Sequence, residues 1–194
     1  MAALLITSGF FMVSLQAKPL HAPQNRFATK SKTRALTKRI SAFLKTQRLH
    51  NHVPDLEKFS RLIVDLARAH QFEPAFILAV LGTESGFDPN AISNQGAVGL
   101  MQVMPRTADF ISDNCGYAKE DLIDLFDPFT NVSLGVCYLS YLRGLYGNDM
   151  DRILSAYNLG PARVSSGDYT RYPTVRDYCK RVKKLFTQFT LWMG

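Results

Sequence analysis

Residues 74–86, PAFILAVLGTESG, constrain this chain more than any other stretch. Pro74 is favoured in the first turn of a helix, and Phe76, Ile77, Val80 and Leu81 recur at the spacing of one helical face before Gly86 and Pro89 end the pattern. Steps of four from Phe76 pass through Val80 and reach Glu84, so a carboxylate continues a row of core-facing side chains. A carboxyl drawn out of water prefers its neutral form, and a helix C-terminus opposes negative charge nearby. Both effects raise the pKa toward what a general acid needs near neutral pH. A structural glutamate bonded to loop backbone fits the same pattern equally well, so periodicity alone leaves both roles open.

From Asp55 onward, apolar residues keep helical spacing between short breaks, with no internal repeats or low-complexity tracts. Besides the helix from Pro74, the pattern predicts helices over 56–70, from Pro105 to about Asn114, and from Pro128 to Tyr146. A short helix follows Asp149 or Asp151 and ends at Gly160-Pro161, and a last one runs from Pro173 to about Thr190. Asp127 is placed to cap the Pro128 helix, and Gly116 to supply a left-handed stop after Asn114. Val175, Tyr178, Val182, Leu185, Phe186 and Phe189 form an apolar stripe on the last helix. Nothing reads as a large sheet. The expected fold class is mainly α, a single domain over 55–194 with at most a small β element.

The charge is uneven. Nine Lys/Arg, from Lys18 to Arg48, precede the first acid, Asp55, and leave 14 basic groups against 16 acidic ones in the rest of the 194 residues. Such an arm at 18–54 reads either as attraction to a polyanion, an anionic lipid or wall polymer, or as a solvated linker. Its only aromatic residues are Phe27 and Phe43, too few for a nucleic-acid platform, so no nucleic acid is expected and the linker reading is favoured. Residues 2–15, AALLITSGFFMVSL, suit the apolar core of a signal peptide with cleavage near Ala17, although a basic flank is missing before them. Residues 1–17 are therefore read as a signal peptide or N-terminal anchor, with export to the periplasm or cell envelope.

Cys115, Cys137 and Cys179 allow one disulfide with one thiol left over, in a pairing the spacing does not decide. Together with His21, His50, His52 and His70 they match no zinc pattern, and neither a metal nor a cofactor is expected.

The stretch ESGFDPNAISNQGAVGLMQVMPRTA, residues 84–108, resembles the lytic transglycosylases of the soluble lytic transglycosylase type, with their ES, GLMQ and MP signature. AYNLGPARV, residues 156–164, and YPTVRDYCKRV, residues 172–182, resemble further signatures of that family in the family's order. The resemblance spans residues 59–186. It implies a lysozyme-like fold with a groove for the peptidoglycan glycan strand and a sole catalytic acid/base at Glu84. It further implies that Ser93 bonds the carboxyl or an acetamido group, that Gln102 and Met104 line the cleft, that Tyr157 and Asn158 border it, and that Tyr178, also a candidate substrate-binding residue, lies near the catalytic carboxyl. Where the family carries Glu before the Thr-Arg pair of its third motif, this chain has Thr174-Val175-Arg176.

Two-carboxylate hydrolysis needs a second acid. Asp88 sits in a turn sequence, Asp127 is a cap, and Asp109 and Asp113 lack apolar enclosure in the pattern. No second acid stands out, which suits the single-acid reaction that the resemblance implies, non-hydrolytic cleavage of the MurNAc-GlcNAc bond to a 1,6-anhydro end. The alternatives are a goose-type-lysozyme-like muramidase, or a non-catalytic wall-binding component of a secretion or conjugation apparatus.

Overall fold

A computed structural model describes residues 26–116, 123–165 and 167–194. Among the described residues, eight α-helices follow in order: α1 (Arg26–Leu44), α2 (Leu56–Ala69), α3 (Pro74–Glu84), α4 (Pro105–Ile111), α5 (Pro128–Tyr146), α6 (Met150–Leu159), α7 (Pro161–Ser165) and α8 (Pro173–Met193). Proline opens α3, α4, α5, α7 and α8, where a missing N–H leaves no bond unmade. Asp55, Asp127 and Asp149 cap α2, α5 and α6 by accepting the N–H of Lys58, Thr130 and Arg152. Gly116 takes the left-handed conformation, φ 80°, after a 3-10 turn that follows α4. The β content among the described residues is a pair of isolated antiparallel bridges, Ile92 to Val98 and Val98 to Val103. The chain is thus mainly α, with a minimal β element.

The third helix is the axis of the core. Residues 75–81 are all buried, on every face rather than one stripe, which is the signature of a helix enclosed by others. Its main partner is α8, which runs antiparallel to it: Phe76 meets Phe186 edge-on at 5.7 Å, while Glu84 at the other end of α3 meets Tyr178. Val175, Tyr178, Val182 and Phe189 of the expected stripe are buried there, with Leu185 and Phe186 partly covered.

The region expected as a basic linker differs from that reading. The presumed signal segment 1–17, and residues 18–25, lie outside the described residues. Residues 26–54, however, pack onto the domain rather than trailing from it. Ile40, Leu44 and Leu49 are fully buried, each contributing roughly 2 kcal/mol by leaving water. Phe43 packs edge-on against Phe87 at 5.3 Å and Phe189 at 5.2 Å, and Arg39 Nη1 donates to the Met193 carbonyl at 2.8 Å. The periodicity was faint because α1 also turns Thr33, Thr37 and Ser41 inward; the Thr33 hydroxyl accepts from Arg68 and Thr37 bonds the Thr33 carbonyl. The domain therefore begins before residue 55.

A disulfide joins Cys115, just after α4, to Cys137 on α5, and Cys179 on α8 remains a buried thiol against the Ser155 hydroxyl.

Candidate active site

Glu84 is the last residue of α3, and the loop it opens, residues 85–104, lies over the helix ends as the wall of a cleft. The loop has little regular structure, so its backbone groups need partners from elsewhere. Ser85 donates to the Leu100 carbonyl at 2.9 Å. Asn131, wholly buried on α5, accepts the Met101 N–H at 2.8 Å and donates to the Val98 and Leu125 carbonyls, both at 2.8 Å. The Tyr157 hydroxyl on α6 donates to the Met101 carbonyl at 2.8 Å. Gly99 makes the approach possible: it sits at φ +76°, and a Cβ there would lie 2.4 Å from Asn131 Nδ2. Gly135 on α5 does the same for Met101, whose sulfur would be 2.5 Å from an added Cβ.

Into this frame the expected site residues fall as follows. Glu84, Ser93, Gln102, Met104, Tyr157 and Asn158 line one cavity of about 430 Å³, together with Asn94, Gln95, Arg163 and Thr174. Ser93 does not bond the carboxyl directly; its hydroxyl oxygen accepts the N–H groups of Ala97 at 3.0 Å and Gln95 at 3.3 Å, which folds the tip of the loop. Gln102 borders the cavity in a left-handed conformation, φ 48°, while its amide nitrogen donates to the Ala91 and Gly99 carbonyls. Met104 is exposed, 37%, on the cleft wall rather than packed in the core. Tyr178 is absent from that wall: it is buried behind the carboxyl, and its hydroxyl donates to Glu84 Oε1 at 2.6 Å. Asn131 was not singled out from sequence, because one amide in an apolar helix carries no periodic signal and its partners are some 30 residues away.

Burial pushes the Glu84 carboxyl up from an ordinary 4.5 to about 7, against the opposing pull of the Tyr178 hydrogen bond and the Arg181 guanidinium. The Tyr178 and Tyr157 phenols are held well above their ordinary range, by burial first and by the Glu84 charge second. Both therefore act as hydrogen-bond donors and not as bases. Among the described residues that line the cleft, Glu84 is the sole carboxyl. Asp88, the nearest acid in sequence, points instead to Arg48 at 3.3 Å. The arrangement can give a proton to a bound acceptor and take one back at the same oxygens, with a tyrosine steadying the ionised form.

Comparison with known proteins gives the family and the fold. The Transglycosylase SLT domain model matches residues 61–173. A membrane-bound lytic murein transglycosylase C of Mannheimia succiniciproducens is 34% identical over 151 residues, which is 73% of this chain and 42% of the relative. That of Actinobacillus pleuropneumoniae is 35% identical over 124 residues, 59% of this chain and 34% of the relative. The chain thus spans less than half the length of these curated relatives. Among solved structures, an inactive variant of the lytic transglycosylase Slt of Pseudomonas aeruginosa superposes with a TM-score of 0.63 at 26% identity, covering 68% of this chain and 24% of that one. The 70 kDa soluble lytic transglycosylase of Escherichia coli superposes at 0.64 with 24% identity, over 87% of this chain and 30% of that one, and shares the fold. Since the domain model takes in the helix that ends on Glu84, the pinned loop and the Tyr157 wall of the cleft, this chain belongs to the transglycosylase SLT family.

Proposed function

We propose that this chain is a peptidoglycan lytic transglycosylase in which Glu84 is the single acid and then the base. The observation that carries the reading is one carboxyl, raised to about 7, facing a polar cleft whose described lining contains no other. The family membership and the names of the relatives support the substrate class.

The glycan strand lies in the cleft with a muramic residue against Glu84. The neutral carboxyl gives its proton to the glycosidic oxygen as the C1–O bond breaks, and the substrate's own acetamido oxygen closes on C1. The carboxylate left behind is steadied by the Tyr178 hydroxyl. It then takes the proton of the C6 hydroxyl, O6 attacks C1, and the acetamido group departs. The proton is back on Glu84, no water is consumed, and the product ends in 1,6-anhydroMurNAc. A pKa near the working pH lets one group serve both steps. Ser93, Gln102, Met104, Tyr157 and Asn158 border the strand, Gln102 and Tyr157 chiefly by fixing the loop on which it rests. The place of action is the cell envelope, in keeping with the expected export of the chain.

Mass analysis of the muropeptides released from purified sacculi tests the reading. Anhydro ends, lighter by one water than reducing ends, are expected from the wild type and not from Glu84→Gln. Reducing ends alone would replace it with the hydrolytic muramidase, and equal activity of both proteins would remove Glu84 from the mechanism.

A further inference from the structure

The net charge of +7 is concentrated on two helices. The first helix, α1, carries six basic residues and no acid, and α8 carries five with the single acid Asp177; the remaining chain holds twelve basic groups against fifteen acidic ones. The two helices meet at one corner. Arg39 of α1 donates to the Met193 carbonyl and stacks 5.8 Å from the ring of Trp192. Lys32 and Arg39 form one bank of a groove of about 610 Å³ whose other side is the end of α8, Thr190 to Gly194. On the solvent side of α8, Lys180, Lys184 and Leu191 fall at helical spacing, and Leu191 is the most exposed large apolar side chain described, 77%. Trp192 beside it is 37% exposed.

Lysines and arginines around an exposed leucine and tryptophan are what a protein presents to a membrane surface, where the indole settles at headgroup depth and the cations meet lipid phosphates. We propose that the α1–α8 corner docks on an anionic phospholipid surface, with Leu191 and Trp192 entering the interface and Lys32, Arg39 and Lys184 holding the phosphates. Eleven basic groups against one acid on the two helices, beside an exposed leucine and indole, favour an anionic headgroup surface as the occupant. The place of the corner also gives it a use. It adjoins the N-terminal end of α3, at Glu73 to Ala75, whereas Glu84 closes the other end. Along α8, Trp192 stands roughly 20 Å from Tyr178, at 1.5 Å per residue. A molecule docked by this corner turns the cleft away from the bilayer, toward whatever polymer lies beyond it.

The docking does not depend on the catalytic reading, and its test uses no substrate. Trp192 is the sole tryptophan of the chain, so the emission of the full-length protein reports this corner alone. Vesicles of phosphatidylcholine with about one third phosphatidylglycerol should shift that emission to the blue and sediment the protein, and pure phosphatidylcholine should do neither. Reversing Lys184 or Lys32 to Glu should each weaken binding about fivefold or more, and Leu191→Ser should weaken it with the charge unchanged. Circular dichroism of each variant verifies the fold. Sedimentation without a change at Trp192, equal binding by the Lys184→Glu and Leu191→Ser variants, or equal binding to both kinds of vesicle would overturn the proposal. So would a tighter response to a soluble polyanion, such as a teichoic acid, than to the vesicles.

Discussion

The helix pair α3–α8 and the loop 85–104 hold the same carboxyl by opposite means. The helices do it with apolar burial: residues 75–81 are all buried, and the dryness at the end of α3 raises the proton affinity of Glu84. The loop is held by directional bonds from Ser85, Asn131, Gln102 and Tyr157 to its backbone. Apolar packing is forgiving of small changes in shape, whereas a buried amide that serves three backbone groups fails as a unit. In the proposed mechanism one region fixes the chemistry and the other fixes where a substrate can lie.

The comparison can be broken most directly at Glu84. Glu84→Gln keeps the size and an acceptor for Tyr178, so the fold should persist while turnover of peptidoglycan falls about a thousandfold. A fall of less than tenfold would mean that the dry helix end is only structural. Next comes Asn131→Ala, expected to cost about 3 kcal/mol because it strands the Met101 N–H and two carbonyls, set beside Val80→Ala, expected to cost about 2 kcal/mol. Thermal melts should show both losses. Activity assayed well below either melting point should fall for Asn131→Ala and stay near wild type for Val80→Ala; equal activities would erase the distinction between the regions.

A third measurement uses pH. The folded protein holds the Glu84 proton up to about 7 whereas the unfolded chain releases it near 4.5, so ionising Glu84 destabilises the fold. Its contribution is complete in acid, is lost as pH rises from 4.5 through about 7, and changes no further above that. Denaturant unfolding of Glu84→Gln should therefore match the wild type at pH 4 and exceed it at pH 8 by about 3 kcal/mol. The smallest effect is that of Tyr178→Phe. Loss of the 2.6 Å bond should lower kcat about tenfold and move the alkaline limb of the pH–rate profile upward, since the ionised form has lost a donor. A lower kcat with an unmoved limb would leave Tyr178 a packing residue.

What the amino-acid sequence disclosed follows the same division. Helix starts at Pro74, Pro105, Pro128 and Pro173 and the cap at Asp127 were legible because each is a local steric or hydrogen-bonding preference, whereas the cap of α6 stayed open between Asp149 and Asp151 until the fold placed it at Asp149. Glu84 was legible as a carboxyl in an apolar row, although the helix proved buried all round. The first helix was not legible, since a face that mixes Thr33, Thr37 and Ser41 with Ile40 and Leu44 weakens the period and the lysines dominate the count. Nor was Asn131, whose meaning comes from α5 passing under a loop 30 residues upstream. Ser93 lines the cleft, but its hydroxyl oxygen serves the backbone of its own turn, a bond that only the folded loop displays.

The third cysteine gives the disulfide an added consequence. Scrambling in a folded protein requires a free thiolate to reach one of the bonded sulfurs. Cys179 sits on α8, beneath the surface, with burial holding its thiol above the ordinary range so that little thiolate forms. Once the Cys115–Cys137 link is closed, exchange has to wait for the core to open. Pairing errors are thus confined to the unfolded chain, and the packing of the catalytic scaffold doubles as the guard of its own cross-link.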